Sequence, residues 1–209
     1  MQTIAFTLLA YLIGSVSFAV IVSRAFGLPD PRSYGSGNPG ATNVLRTGRK
    51  AAAVLTLLGD AAKGWAAVFL VQHFTDGTPF VAALAAVVAV VGHMYPVFFR
   101  FHGGKGVSTA LGVLLALNVY LAAGTVATWL VIAFFFRISS LAAIVAAVFA
   151  PFFCFLLYGM DVFTAGVTVI GLLLVWRHQG NIRNLIAGSE SRLGKSVAGS
   201  GPGGAEKTD

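Results

Sequence analysis

Charge is what this sequence has least of. Asp, Glu, Lys and Arg together make up 10% of its 209 residues, against about a quarter in a soluble domain. That is too little to cover a globular surface. Acids are the scarcest: seven Asp and Glu stand against fourteen Lys and Arg, for a net charge of +7. Such an excess could suit nucleic acid, but a hydrophobic content of 57% points to lipid instead, and no nucleic-acid partner is expected. The same apolar content excludes a disordered chain. A single cysteine, Cys154, excludes a disulfide framework. No His-Glu-x-x-His segment and no Cys/His cluster at ligand spacing is present, so no metal is expected. No carboxylate stands five residues after any histidine, and none is placed to orient one as the base of a Ser-His-Asp triad. The nucleotide-binding pattern G-x-x-x-x-G-K-[ST] fails as well. Phe99 occupies the place of its first glycine, and Gly106 follows Lys105.

What the sequence does have is long apolar runs. Ile4 to Val22 carries no charge, and Ala51 to Val71 is interrupted only by Asp60 and Lys63. Pro79 to Phe99, Val107 to Phe136, Leu141 to Tyr158 and Val162 to Trp176 follow. A helix needs about 20 such residues to cross a bilayer. These runs are apolar on every side, which rejects the alternation of a membrane barrel. The 30 uncharged residues of 107–136 predict two short legs of about 15 residues, ~22 Å each, turning near Asn118 to Tyr120. The expected fold is an all-α integral membrane protein, a multi-pass, compact seven-transmembrane-helix bundle. Five spans result if 107–136 is a re-entrant pair. Thirteen of the fourteen basic residues fall in four segments: 24–50, 100–106, Arg137, and the chain beyond Arg177. The positive-inside bias puts all four in the cytoplasm, the N-terminus outside and the C-terminus inside. Residues 1–193 read as one transmembrane domain and 194–209, rich in Gly and Ser, as a flexible cytoplasmic tail. The first run lacks a basic flank and exceeds a signal's apolar core, so it reads as a retained helix.

The cytoplasmic loops share one chemistry. Ser36-Gly37-Asn38-Pro39-Gly40-Ala41-Thr42-Asn43-Val44-Leu45-Arg46 lies in the first. The second runs from Gly92-His93-Met94-Tyr95-Pro96 to His102-Gly103-Gly104-Lys105-Gly106-Val107-Ser108-Thr109, and the last reads Arg177-His178-Gln179-Gly180-Asn181-Ile182-Arg183. Glycine turns backbone amides toward a ligand, while cations, hydroxyls and amides supply charge and hydrogen bonds. That combination holds phosphate, and Val107 as a helix start would put Gly103 to Gly106 at a positive helix end. The plainer alternative is turns that also carry the orientation signal. A carrier for phosphorylated metabolites, with the loops as an anion vestibule, is a further alternative, and a lipid-binding scaffold a more distant one. Within the spans, Asp60 and Lys63 share a helix face and can pair. Ionisable groups at that depth are functional by default, and a pair that only fixes helix rotation is the competing reading. His93 reads as a hydrogen-bonded structural histidine, and His73 and Cys154 as incidental.

SGNPGATNVLR at 36–46, GHMYPVFFRFHGGKGVST at 92–109 and RHQGNIRNLIAGSE at 177–190 resemble, in order and spacing, the three signature loops of the acyl-phosphate:glycerol-3-phosphate acyltransferase family. Gly59 to Gly64 and Arg137 to Leu141 are also similar to family features. The third loop departs from the family in having Asn184 where a basic residue is usual. The resemblance implies a seven-helix bundle in the bacterial inner membrane with its active site at the cytoplasmic face. It implies transfer of an acyl chain from acyl phosphate to the 1-hydroxyl of glycerol 3-phosphate. Lysophosphatidic acid and inorganic phosphate are the products, with no cofactor, no metal and no obligatory protein partner; membrane lipid surrounds the enzyme. Carried over residue by residue, it points to Ser36, Arg46, Lys105, His178 and Asn181 as the catalytic set. Asn38, Thr42, Asn43, Gly103, Gly104, Ser139, Ser140 and Arg177 join them around the phosphates. The proton of the attacking hydroxyl goes either to His178 or to the donor's own phosphate; the second is favoured, because basic neighbours lower the basicity of the imidazole. The acyl chain is expected in an apolar groove open to the membrane, for which the small residues along 51–71 and 81–91 leave room without fixing which helices line it.

Overall fold

The computed structural model describes residues 2–75 and 78–193. The expected tail at 194–209, and Asp76 in the connector after the second apolar run, lie outside the described residues. All regular structure within them is helical. The first apolar run forms α1 (Gln2–Gly14) and α2 (Phe18–Ala25), which together make one span-length segment. The break between them leaves Ser17 extended and frees the carbonyl of Val16. A short α3 (Ala41–Leu45) precedes α4 (Lys50–Phe74), and α5 (Pro79–Met94) leads into a 3-10 turn at Val97–Phe99. Then come α6 (Val107–Leu117), α7 (Val119–Phe136), α8 (Ser139–Tyr158), α9 (Val162–Arg177) and α10 (Gln179–Ile186). Among the described residues five helical segments are long and apolar enough to cross a membrane, and α9 with α10, bent by 56°, counts as a sixth if the pair is one span.

The turn expected inside 107–136 is present, but its legs are unequal. Asn118 ends α6 after 11 residues and begins α7, which has 18. Its backbone is extended, its Oδ1 accepts from the amides of Tyr120 and Leu121, and its Nδ2 donates to Tyr158 Oη at 3.1 Å. An asparagine that caps one helix and is tied to the far end of another sets the break at one residue.

Close helix contacts use small residues, as membrane interfaces do. Where α4 meets α6, Gly64 lies against the Thr109 carbonyl and Gly112 against that of Ala61, so neither position has room for a side chain. Gly14 of α1 lies likewise against Ala89 of α5. Large apolar side chains such as Phe134, Phe135, Leu156 and Leu172 face outward, toward lipid. In the interior, the expected Asp60–Lys63 pair forms at 2.7 Å with both residues buried. Lys63 Nζ also donates to the freed Val16 carbonyl and lies 2.9 Å from His93 Nδ1.

Candidate active site

The first loop is folded by Asn43. Its amide donates to the carbonyls of Pro31 (2.7 Å) and Tyr34 (3.1 Å), and its Oδ1 accepts from the Ser36 backbone at 3.0 Å. The chain then turns through Gly37, whose φ of +66° is costly for any residue with a Cβ. Ser36, Asn38 and, one turn of α3 later, Arg46 are thereby directed to one side.

The second loop is clamped from α9. Arg177 donates to the carbonyls of Gly103 and Gly104 at 3.1 Å each and lies over the Tyr95 ring at 5.4 Å. Gly104 N donates in turn to the His93 carbonyl at 3.1 Å. Gly106, at φ +87°, starts α6 and leaves Lys105 pointing inward.

In the third loop His178 ends α9 and is 2% exposed. Its Nδ1 lies 2.7 Å from the Leu174 carbonyl, which can only accept, so Nδ1 carries the proton and Nε2 is left with a lone pair. After α10 the chain folds back over the site. Leu193 N donates to the Arg137 carbonyl at 2.7 Å, and Arg46 donates to Ser191. Glu190 Oε1 accepts from Asn181 Nδ2 and from Ser140 Oγ, each at 2.7 Å, while Asn181 Oδ1 accepts from Lys105 Nζ at 2.6 Å. Lys105, Asn181, Glu190 and Ser140 thus form one chain of charge-assisted hydrogen bonds.

These groups surround a single cavity of about 340 Å³. Ser36, Asn38, Thr42, Asn43 and Arg46 line it from the first loop, and Lys105 from the second. Ser139 and Ser140 line it from the start of α8, and His178, Asn181 and Glu190 from the third loop. Gly103, Gly104 and Arg177 stay outside the lining, holding the loop that presents Lys105. Below this basic mouth the wall turns apolar, with Leu111 and Leu114 of α6, Val126 and Trp129 of α7, Ala143, Ala146, Ala147 and Ala150 of α8, and Val167 and Ile170 of α9. This apolar wall is built mainly by α6 to α9 rather than by 51–71 and 81–91. Only Leu57 and Asp60 of the first stretch reach it, and nothing of the second. The small residues of α5 are spent on close packing, Ala89 against α1 and Ala83 against Gly166 of α9.

Burial pushes the Lys105 ammonium below the usual lysine range; Glu190 opposes this, and Arg46 and Arg177 add to it. Burial lowers His178 to about 4, against the bond to Leu174, with Lys105 lowering it further. At neutral pH His178 is therefore an uncharged acceptor facing the cavity.

Two site residues escaped the sequence reading. Glu190 is the one acid of the third loop, which is a usable signal. His93, assigned a structural role, is hydrogen-bonded as expected and also lines the cavity.

Comparison with known proteins gives a consistent answer. The family model described as "Glycerol-3-phosphate acyltransferase" matches residues 4–188. A protein of that name from Janthinobacterium sp. (strain Marseille) is 62% identical over 197 residues, covering 93% of this chain and 98% of its own. Another from Burkholderia vietnamiensis is 61% identical over 209 residues, covering 99% and 98%. Among solved structures, PlsY (YgiH), "an integral membrane glycerol 3-phosphate acyltransferase", superposes in its glycerol 3-phosphate form with a TM-score of 0.87 at 38% identity, covering 93% of this chain and 96% of that one. Its lysophosphatidic acid form gives 0.85 at 37%, covering 93% and 97%.

Proposed function

The chain belongs to the glycerol-3-phosphate acyltransferase family, and from that premise we propose that its cavity moves an acyl chain from an acyl phosphate to the 1-hydroxyl of glycerol 3-phosphate. That the chain is an integral membrane acyltransferase follows from the family; the donor, the site residues and the membrane orientation are our reading. The observation that carries it is the continuity of a basic, hydroxyl- and amide-lined mouth with an apolar groove in one cavity. Two phosphates need the cations, and a fatty chain needs the groove.

Arg46 and Lys105, with Ser36 and Asn38, hold the phosphates. Thr42 and Asn43 shape the first loop around them. Asn181 positions Lys105, and Ser139 and Ser140 close the side next to Glu190. Arg46 donates to Ser191 and Lys105 to Asn181, neutral partners that a phosphate at roughly −1.5 to −2 charges outcompetes. Acyl phosphate is a mixed anhydride with a good leaving group, so no acyl-enzyme is needed. The 1-hydroxyl oxygen forms the new bond to the carbonyl carbon, the bond from that carbon to the phosphate oxygen breaks, and lysophosphatidic acid and inorganic phosphate result. Positioning and charge stabilisation supply the catalysis. The lone pair of His178 Nε2 accepts a hydrogen bond from the 2-hydroxyl of glycerol 3-phosphate and orients the substrate, leaving the 1-hydroxyl proton free to transfer. With its pKa near 4, His178 is a poor base at neutral pH, so the proton travels to the departing phosphate.

For topology we propose seven crossings in a bacterial inner membrane, N-terminus outside, site at the cytoplasmic face. Support comes from Asn118. It joins the end of α6 to Tyr158 at the end of α8, while the starts of both helices line the mouth. On this reading α6, though short, passes from the site to the opposite side. The catalytic unit ends near residue 193, and no obligatory protein partner is invoked. Purified protein in detergent, given acyl phosphate and labelled glycerol 3-phosphate, is expected to form lysophosphatidic acid and phosphate in equal amounts. Absence of product, with flux of glycerol 3-phosphate across reconstituted vesicles, would establish a carrier instead.

A further inference from the structure

His93 lines the cavity but has no part in the chemistry above. It is 7% exposed, and its two ring nitrogens meet different surroundings. Nδ1 lies 2.9 Å from Lys63 Nζ and 3.1 Å from Thr109 Oγ1. The Lys63 ammonium, which has three donors and no acceptor, meets three partners: this nitrogen, the Val16 carbonyl and the Asp60 carboxylate at 2.7 Å. Nδ1 must therefore offer a lone pair, because an imidazolium would set a second N–H against the ammonium. The trio of Asp60, Lys63 and neutral His93 then has no net charge, the condition under which buried ionic groups are tolerated. The remaining imidazole proton sits on Nε2.

Among the described residues, every hydrogen-bonding neighbour of the His93 side chain is on the Nδ1 side. Nε2 instead abuts Gly104, where an added Cβ would collide with it. Thr109 is in the first turn of α6, directly after the Lys105 loop. His93 therefore stands where the basic mouth gives way to the apolar groove. Under the acyl-phosphate reading, on which this inference rests, the donor's carbonyl falls at that junction, with its phosphate on one side and its chain on the other.

We propose that His93 is a catalytic hydrogen-bond donor: its Nε2–H binds the carbonyl oxygen of the acyl donor, with Lys63 and Asp60 as positioning residues that fix the tautomer. As the glycerol oxygen bonds to the carbonyl carbon, the carbonyl π pair moves onto the oxygen facing Nε2. It returns as the carbon–phosphate-oxygen bond breaks. His93 keeps its proton throughout. A preset donor aimed at developing charge is the economical way to stabilise such an oxyanion. The cavity then holds two neutral histidines of opposite tautomer, His93 donating to the electrophile and His178 accepting from the neighbouring hydroxyl of the glycerol substrate.

The test uses full-length protein in detergent with acyl phosphate and glycerol 3-phosphate. His93→Asn keeps an acceptor near the Nδ1 position for Lys63 but nothing at Nε2. Its kcat is expected to fall ~100- to 1,000-fold, with KM for glycerol 3-phosphate within roughly threefold. His93→Gln, whose amide nitrogen reaches the Nε2 position, is expected to stay within about tenfold of wild type. A wild-type kcat in folded His93→Asn, or a defect confined to KM for glycerol 3-phosphate, would overturn the proposal. Nitrogen-15 NMR of histidine-labelled wild-type protein provides a readout that needs no variant. His93 is expected as the neutral Nε2–H tautomer, and the Nδ1–H form would refute the assignment. If wild-type protein makes no product, the acyl-phosphate reading has failed; if it does and His93→Asn matches it, only this inference has failed.

Discussion

Filling the bottom of the groove should convert the enzyme to shorter donors. Along α8 the cavity lining runs from Ser140 at the mouth to Ala150, ten residues or ~15 Å. Ala150 there joins Leu114, Val167 and Cys154 in a buried cluster that forms the floor. An extended chain advances ~1.2 Å per bond, from three bonds in each 3.3–3.6 Å residue, so about twelve carbons reach that floor. Ala150→Leu adds three carbons that reach two bonds past Cβ, ~2.5 Å, and displaces about two to three methylenes. At ~0.8 kcal/mol each the loss is about 2 kcal/mol, or on the order of 30-fold in kcat/KM. Dodecanoyl phosphate should show that loss and octanoyl phosphate should not. Octanoyl turnover also controls for overpacking, since Ala150 is 5% exposed and three extra carbons in a tight core cost ~1–3 kcal/mol. Rates with the two donors, measured side by side, decide the matter. Equal responses would show that the chain lies elsewhere, for instance against the outer face of α7, and the groove assignment would fall.

Lys105→Ala is expected to abolish measurable turnover, because a phosphate loses a charge-assisted contact worth ~1.5–3 kcal/mol in binding and more in the transition state. Lys105→Arg should not restore it, since a planar fork does not replace a compact ammonium between glycines; a radiolabelled-product assay reports both. His178→Asn is expected to keep turnover while raising KM for glycerol 3-phosphate, and the wild-type pH–rate profile should lack an imidazole limb between pH 6 and 8. Because the folded His178 pKa is about 4, below its unfolded value, the unfolded chain binds the extra proton between roughly 6.5 and 4. Stability should therefore fall as pH drops through that window in wild type and less so in His178→Asn, as thermal melts will show. Single cysteines at Thr78 and Met160 should label from outside and one at Gly48 from inside; labelling of Thr78 and Gly48 from the same side would refute the proposed orientation.

The long apolar helices, the break at Asn118 and the Asp60–Lys63 pair are legible because each rests on local rules: run length, helix capping and i,i+3 spacing. The loops were legible from their glycine, cation and amide content. Other features depend on which helix faces which. The small residues of 81–91 look like groove walls in sequence, yet packing against α1 and α9 consumes them. The groove is instead made by alanines of α8, which no pattern distinguishes from those of α5. Arg177 looks like a phosphate ligand by charge, but the carbonyls of Gly103 and Gly104, more than seventy residues away in sequence, hold it. Glu190 enters the site only because the chain folds back after α10, and the tautomer of His93 depends on groups from α4 and α6.

The three-way seat of the Lys63 ammonium also bears on how the protein enters the membrane. When α4 emerges from the ribosome it carries both Asp60 and Lys63, each costing about 2.5–3.5 kcal/mol at the centre of a span. Their i,i+3 pairing relieves part of that cost at once, and Val16 has already been made. His93 has not: it lies thirty residues further on, at the end of α5. Thr109, which faces the same imidazole, is later still. Until α5 is threaded, one donor of the ammonium has no seat, so α4 is a span that settles fully only when its successor joins it. A pause between these two helices during synthesis would leave that charge incompletely satisfied in the bilayer.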